Sequence, residues 1–293
     1  MQLFTRLKGR FPALRLEKEF SFSHHTTIGC GGTAAVAAYP ASLEESACLI
    51  AYLIRERIPM CLLGAGANVL PSERYFEGVV VLFRLLNALY ADGAEVYAGA
   101  GVTGGSLLRF ACRNGIGGFS PFSGIPMTVG GGVAMNAGVG DLHFSDIVRR
   151  VVCVERGRLC ILDTAACAFG EKSSIFLQGI AVLGVYLCGR YAELSSIVQE
   201  SCYYRTLRAR LPKERSMGCV FVNPPGESAG RLIEACGLKG KRIGGAVVSV
   251  LHANFICNEG GTSGDIAALI SLIKETVLRR TGIKLREEIR RIP

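Results

Sequence analysis

The chain has 293 residues, 49% hydrophobic and 19% charged, so it has ample apolar surface for a packed core, and no run nears the roughly 20 apolar residues a bilayer helix needs. The formal charge of +9 is spread along the chain without a nucleic-acid-binding motif, which favours an anionic small molecule over nucleic acid. Twelve cysteines with no CxxC pair and no apolar leader read as small buried thiols in the reducing cytoplasm; Cys153, Cys160 and Cys167 are evenly spaced, but nothing completes a zinc pattern.

Helix and strand signals alternate from the start. Ser42-Leu43-Glu44-Glu45 reads as a capping box opening a helix with Leu43, Ala47, Ile50 and Ile54 on its apolar face. "MCLLGAGANVL" reads as a short strand entering a glycine loop, and "GVVVLF" as the next strand. "NALYADGAEVYAGAG" predicts a hairpin turning at Asp92-Gly93, and 103–114 a helix stopped by Gly115. The segment from Gly117 to Asp141, "GGFSPFSGIPMTVGGGVAMNAGVGD", is too glycine-rich for a long helix and too ordered in its apolar residues for a linker. A second hairpin is expected to turn at Arg156-Gly157, followed by a strand at "GIAVLGVYLCG" and a helix from about Glu193 to Arg210. Composition changes near 203–211. Beyond it come a strand at Cys219, a short helix at "SAGRLIEACG", strands near Val247 and Phe255, and an amphipathic helix with Asp265 in its first turn and Gly282 past its end. The terminal "IKLREEIRRIP" reads as a strand. Hairpins in mixed order argue for an α+β fold.

Two glycine segments carry the first chemical signal. "LLGAGANVL" offers consecutive backbone N–H groups after a strand, which can form an anion nest. It is neither a Rossmann fingerprint nor a P-loop, and a tight structural turn explains it equally well. "SGIPMTVGGGVAMNAG" could hold the other side of a long dinucleotide, with Asn136 as a bidentate amide, or could serve close packing between layers. Cys219, heading the run "CVFVNPPG", is by itself most simply a small buried hydrophobe.

The blocks "HTTIGCGGTA", "LLGAGANVL", "GIPMTVGGGVAMNAG", "CVFVNPPGESAGRLIEACGLKG", "RIGGAVVSVLHANFICNEGG" and "EEIRRI" occur in the order seen in UDP-N-acetylenolpyruvoylglucosamine reductases, and the chain resembles that family from about His25 to Ile292. It is similar to the compact type lacking an inserted tyrosine loop. The resemblance implies a two-subdomain FAD-binding region, vanillyl-alcohol-oxidase/PCMH-like, at 1–85 and 86–202. It adds a smaller α+β substrate-binding domain at 203–293, whose last strand returns to the active site. The implied activity is FAD-dependent, NADPH-driven reduction of UDP-N-acetylglucosamine enolpyruvate to UDP-N-acetylmuramate for peptidoglycan, by a cytoplasmic monomer with no metal, membrane or nucleic-acid partner. Two other readings stand beside it: a non-catalytic flavin- or nucleotide-binding relative, and a flavin oxidoreductase with a different substrate.

Residue by residue, the resemblance implies that Gly64, Ala65, Gly66, Ala67, Asn68 and Val69 wrap the FAD diphosphate. Gly124, Ile125, Pro126, Thr128, Val129, Gly130, Gly131, Asn136, Ala137 and Gly138 would line the flavin and its adenosine arm. Cys219 stands where the family usually has a proton-donating serine; a thiol, pKa about 8.5, is mostly protonated at neutral pH and is the stronger acid. Glu288 matches the C-terminal catalytic glutamate, and Lys172 stands where arginine is usual, keeping the charge without the planar fork. Asn223, Arg231, Lys239, His252 and Arg208 are the expected substrate contacts. Gly29, Glu171, Val222 and Val247 depart from the family's usual basic residue, tyrosine, lysine and glutamine, all near anionic-ligand positions.

Overall fold

The computed structural model describes residues 2–140 and 142–293; Asp141, at the end of the second glycine segment, lies outside them. The chain forms two compact units that are not contiguous in sequence. The first comprises residues up to Lys18, Val36–Ala65 and Gly78–Ala209; the second comprises Glu19–Ala35, Gly66–Glu77 and Arg210–Pro293.

The first unit is built on a five-stranded antiparallel sheet. Its spatial order is Arg158–Asp163, Val148–Glu155, Ala181–Cys188, Glu95–Gly99, Leu89–Asp92. Within Val148–Glu155 the run Val151–Val154 is wholly apolar, because both faces of the strand are covered there. Val151 and Cys153 enter a core with Leu107, Val129 and Val133; Val152 and Val154 enter another with Ile50 of helix Leu43–Arg55. The hairpin at Arg156-Gly157 forms as expected. Both central residues have positive φ, 49° and 78°, the twist that suits a two-residue connection. The other hairpin pairs Asp92 with Glu95, so its turn is Gly93-Ala94, one residue beyond expectation. Helices Gly104–Arg113 and Leu194–Ala209 lie within a residue of where periodicity put them.

The capping box at Ser42 forms only by half. Ser42 Oγ accepts from Glu45 N at 3.0 Å, but the Glu45 carboxylate takes the Ala41 amide instead of that of Ser42. The glycine segment contains a six-residue helix, Val129–Ala134, which its three glycines hide from a propensity reading.

The second unit has an antiparallel sheet in the order Ser216–Cys219, Phe255–Asn258, Ala246–Val248, Arg242–Ile243. Helices Ala229–Ala235 and Ser263–Thr281 complete its core with Phe221, Ile233, Val248 and Ile256. The long helix buries Ile266, Leu269, Ile270, Ile273 and Val277, each worth about 1.5–3 kcal/mol of apolar burial. Thr262 and Asp265 cap its start reciprocally, and Gly282 closes it at φ 73°. Of the expected terminal strand only Arg290–Ile292 is regular, and its partner is Val69–Pro71, in parallel.

Candidate active site

The loop after strand Met60–Leu62 is fixed at both ends and open between. Leu63 N bonds Val81 O at 3.1 Å, and strand Val69–Pro71 follows. Among the described residues, the amides of Gly64, Ala65, Gly66, Ala67 and Asn68 donate to no protein acceptor. Gly66 is buried and the other four are half-buried, and five successive donors left unused by the fold have the geometry an anion nest requires. Within the first unit, a Cβ at Gly64 would lie 2.7 Å from Thr128 Oγ1 and 3.6 Å from Gly131 Cα, so the two glycine segments meet here. Gly66 has φ 68°, and a Cβ there would overlap the His25 carbonyl.

The second glycine segment divides between packing and presentation. Val129 N bonds Val102 O at 2.8 Å, Gly130 N bonds Ala100 O at 3.0 Å, and Gly131 N faces the Thr128 hydroxyl at 3.4 Å. The start of this helix is therefore satisfied within the protein and offers no second anion site. Val129 and Gly130 are buried with their amides engaged, contrary to the ligand contacts expected of them; a side chain at Gly130 would strike Ala100, and one at Gly132 the Phe144 ring. Gly124, at φ 76°, and Pro126 are exposed, and Ile125, Gly131, Ala137 and Gly138 half-buried.

Asn136 does not present a bidentate amide. Its Oδ1 accepts from Ser145 N at 2.9 Å and its Nδ2 donates to Gly170 O at 3.0 Å. Gly170 and Ser173 exchange backbone hydrogen bonds around Glu171-Lys172, and Lys172 holds φ 53°. Asn136 thus positions the turn that carries Lys172.

In the second unit a closed circuit of hydrogen bonds joins the nest loop to both other expected catalytic positions. Thr27 N bonds Gly66 O at 3.0 Å, and Thr27 Oγ1 donates to Ser216 O at 2.6 Å, at the head of the strand ending in Cys219. The chain bends at Val220, whose carbonyl accepts from Glu288 N at 2.8 Å. Asn68 Nδ2 donates to Glu288 O at 3.2 Å, and Asn68 O accepts from Arg290 N at 3.0 Å, which returns the path to the loop. Asn254 holds the bend itself. Its Oδ1 accepts from Phe221 N at 2.9 Å and its Nδ2 donates to Phe221 O at 2.7 Å.

Glu287 and Glu288 separate cleanly. Glu287 pairs with Lys274 at 3.0 Å and Arg291 at 3.1 Å. Burial alone would raise its carboxyl pKa, but the hydrogen bonds and charge of Arg291 and Lys274 outweigh it and hold it below the ordinary range. The backbone there bridges Phe221 to Glu287, and alternation sends Glu288 to the opposite face.

The expected substrate contacts are dispersed. Asn223 is exposed and its Oδ1 accepts from Ala229 N at 3.0 Å; Arg231 is exposed in the first turn of the following helix. Lys239 pairs with Glu234 at 2.7 Å. His252 Nδ1 accepts from Asn254 N at 3.3 Å; burial, aided by the charge of Lys239, pushes its pKa down, so the ring is a neutral Nε2–H donor. Arg208 is in the first unit, its stem against Gly124.

Sequence reasoning missed Thr27, Asn254 and Arg215. Two are polar residues inside recognised blocks, and their signal was a short polar side chain amid apolar neighbours. Arg215 lies over Gly29: a Cβ there would be 2.5 Å from Arg215 Nη1, and Gly29 has φ 68°. Val222 and Val247 are buried. Among the described residues no group of three or more His, Cys, Asp or Glu could hold a metal, and no helix is long and apolar enough to cross a membrane.

Comparison with known proteins matches residues 211–292 to the UDP-N-acetylenolpyruvoylglucosamine reductase C-terminal domain and residues 34–158 to an FAD binding domain. The UDP-N-acetylenolpyruvoylglucosamine reductase of Caldanaerobacter subterraneus subsp. tengcongensis is 38% identical, over 98% of this chain and 97% of its own. That of Moorella thermoacetica is 39% identical over 91% and 90%. The crystal structure of the reductase from Thermus caldophilus aligns with a TM-score of 0.83 at 31% identity, covering 96% of this chain and 100% of that one. An alkyldihydroxyacetonephosphate synthase, 14% identical with a TM-score of 0.50 over 65% of this chain and 40% of its own, shares the fold alone.

Proposed function

The chain belongs to the UDP-N-acetylenolpyruvoylglucosamine reductase family, and on that footing we propose that it uses NADPH and FAD to reduce UDP-N-acetylglucosamine enolpyruvate to UDP-N-acetylmuramate, a peptidoglycan precursor. The observation that carries this reading to particular residues is the hydrogen-bond circuit through Gly66, Thr27, Ser216, Val220, Glu288 and Asn68. It ties an anion-binding loop to a half-buried thiol and to a glutamate held at both its amide and its carbonyl.

Bound FAD supplies the hydride chemistry that amino-acid side chains lack. The residues present fit it: the amides of 64–68 would hold its diphosphate, and Gly124–Pro126, Gly131 and Gly138 would allow close approach of its rings. Cys219 holds the proton that goes to the carbon next to the substrate carboxylate, once hydride addition leaves that carbon as an enolate. A free thiol ordinarily has a pKa of about 8.5, which makes it a stronger acid than the hydroxyl of serine. Lys172 supplies positive charge for the enolate, on a turn held by Asn136. Glu288 polarises the substrate or assists proton delivery. Arg215 brings to the neighbourhood of Gly29 the cation that position lacks, and with Arg231 and Lys239 suits a UDP diphosphate. We place the enzyme in the cytoplasm, where NADPH and UDP-sugars are found, as a monomer; sedimentation at micromolar concentration tests the latter.

The test is an anaerobic stopped-flow comparison of the two half-reactions in wild type and Cys219→Ala. Flavin bleaching by NADPH should proceed at the wild-type rate. Reoxidation by the enolpyruvyl sugar nucleotide should slow by roughly 10²–10⁴-fold, the usual worth of a general acid. Wild-type rates in both halves would remove Cys219 from the chemistry, and a wild-type protein that binds FAD but never reoxidises with this substrate would refute the activity.

A further inference from the structure

We propose that Cys153 and Cys160 form a reversible disulfide whose oxidant is a low-molecular-weight disulfide such as oxidised glutathione. The two residues stand directly opposite each other in the antiparallel pair Val148–Glu155 and Arg158–Asp163, and their sulfurs are 3.3 Å apart. Opposed residues in such a pair have Cα separations of about 4.5 or 5.5 Å, and both values fall within the range a disulfide spans. Closing the bond takes a movement of about 1.3 Å, to an S–S length near 2.05 Å. On the other side of Val148–Glu155 the ladder slips between Val152 and Cys153, where its partner passes from Gly184 to Val182, and such bulges re-aim side chains.

Access is ordered. Arg158–Asp163 is the edge strand of the five-stranded sheet; Cys160 on it is half-buried, while Cys153 behind it is fully buried. Cys160, as the thiolate, attacks one sulfur of the reagent and expels its first thiolate. Cys153 then loses its proton and attacks the Cys160 sulfur, expelling the second. Two protein thiols are oxidised by two electrons, the reagent is reduced to two thiols, and the two protons go to those leaving groups. Burial pushes the Cys153 thiol well above its ordinary pKa, with Cys160 adding to the rise, so the second step is the slow one. Cys167, the third sulfur nearby, is turned to the Asp163 carbonyl at 3.1 Å and does not compete.

The experiment incubates the purified full chain with oxidised glutathione, quenches by alkylation and maps tryptic peptides. The expected product joins 151–156 to 159–172, two hydrogens lighter than the separate peptides, at least tenfold above the untreated sample and released by reduction. It persists in Cys167→Ser and vanishes in Cys160→Ser. Adducts confined to the exposed Cys48 and Cys202, with Cys153 unlinked, would overturn the proposal, as would a Cys153–Cys167 linkage.

Discussion

Asn254→Ala tests whether the bend after Cys219 is built by one side chain. Asn254 is 3% exposed and spends its amide on both backbone groups of Phe221, itself 1% exposed. Truncation orphans a buried N–H and a buried C=O, each costing about 1–3 kcal/mol, and a water admitted to the space returns part of that. The net loss is about 2–4 kcal/mol, or roughly 5–15 °C in Tm. Urea unfolding gives the first number. Stopped-flow gives the second readout: substrate-driven flavin reoxidation should fall at least tenfold while reduction by NADPH is unchanged, because the bend sets the direction of Cys219. Asn254→Asp sharpens the argument. Its carboxylate still accepts from Phe221 N but faces the Phe221 carbonyl with no proton to give. The folded-state pKa is therefore raised, the acid form is favoured, and the gap to wild type should narrow as pH falls toward about 4. Unfolding of Asn254→Ala within about 0.5 kcal/mol of wild type, or lost stability with full reoxidation rates, would refute the reasoning.

Three further outcomes are expected. Gly66→Ala places a Cβ against the His25 carbonyl at a left-handed φ, so flavin affinity measured by fluorescence titration should drop at least tenfold, with about 1–2 kcal/mol of stability lost. Glu287 has a depressed carboxyl pKa, so its contribution is present above the unfolded value of about 4.3 and is lost as pH falls through the folded one; Glu287→Gln should destabilise at pH 7 and converge with wild type as pH falls below the ordinary carboxylate range, followed by urea midpoints. Lys172→Met should slow reoxidation far more than Lys172→Arg, at equal rates of flavin reduction; equal effects of the two variants would mean that charge at this turn is not used.

Much of this arrangement was legible in the sequence where the physics is local. The Arg156-Gly157 turn, the helix from Ser263 and the glycine loop after Met60–Leu62 each follow from neighbours in the chain. What could not be read depends on residues distant in sequence. Val69–Pro71 gives no sign that its partner is Arg290–Ile292, and Thr27 gives none that it reaches Ser216, because only the folded backbone brings them together. Glycine also misled in one direction. Gly130 and Gly131 are adjacent and look alike, yet one is sealed by the Ala100 backbone and side chain and the other meets only the Thr128 hydroxyl, and a string of glycines records only that side chains are absent. Asn136 belongs with these: an amide suited to a ligand is spent on Ser145 and Gly170.

The pairing of Arg290–Ile292 with Val69–Pro71 has a mechanical corollary. The glycine loop ahead of Val69 and the segment carrying Glu288 are splinted to each other, so thermal breathing of one is shared by the other. Amide protons of Arg290 and Val222 should therefore exchange with deuterium in step, and tightening the loop should quieten a segment more than two hundred residues downstream without touching it.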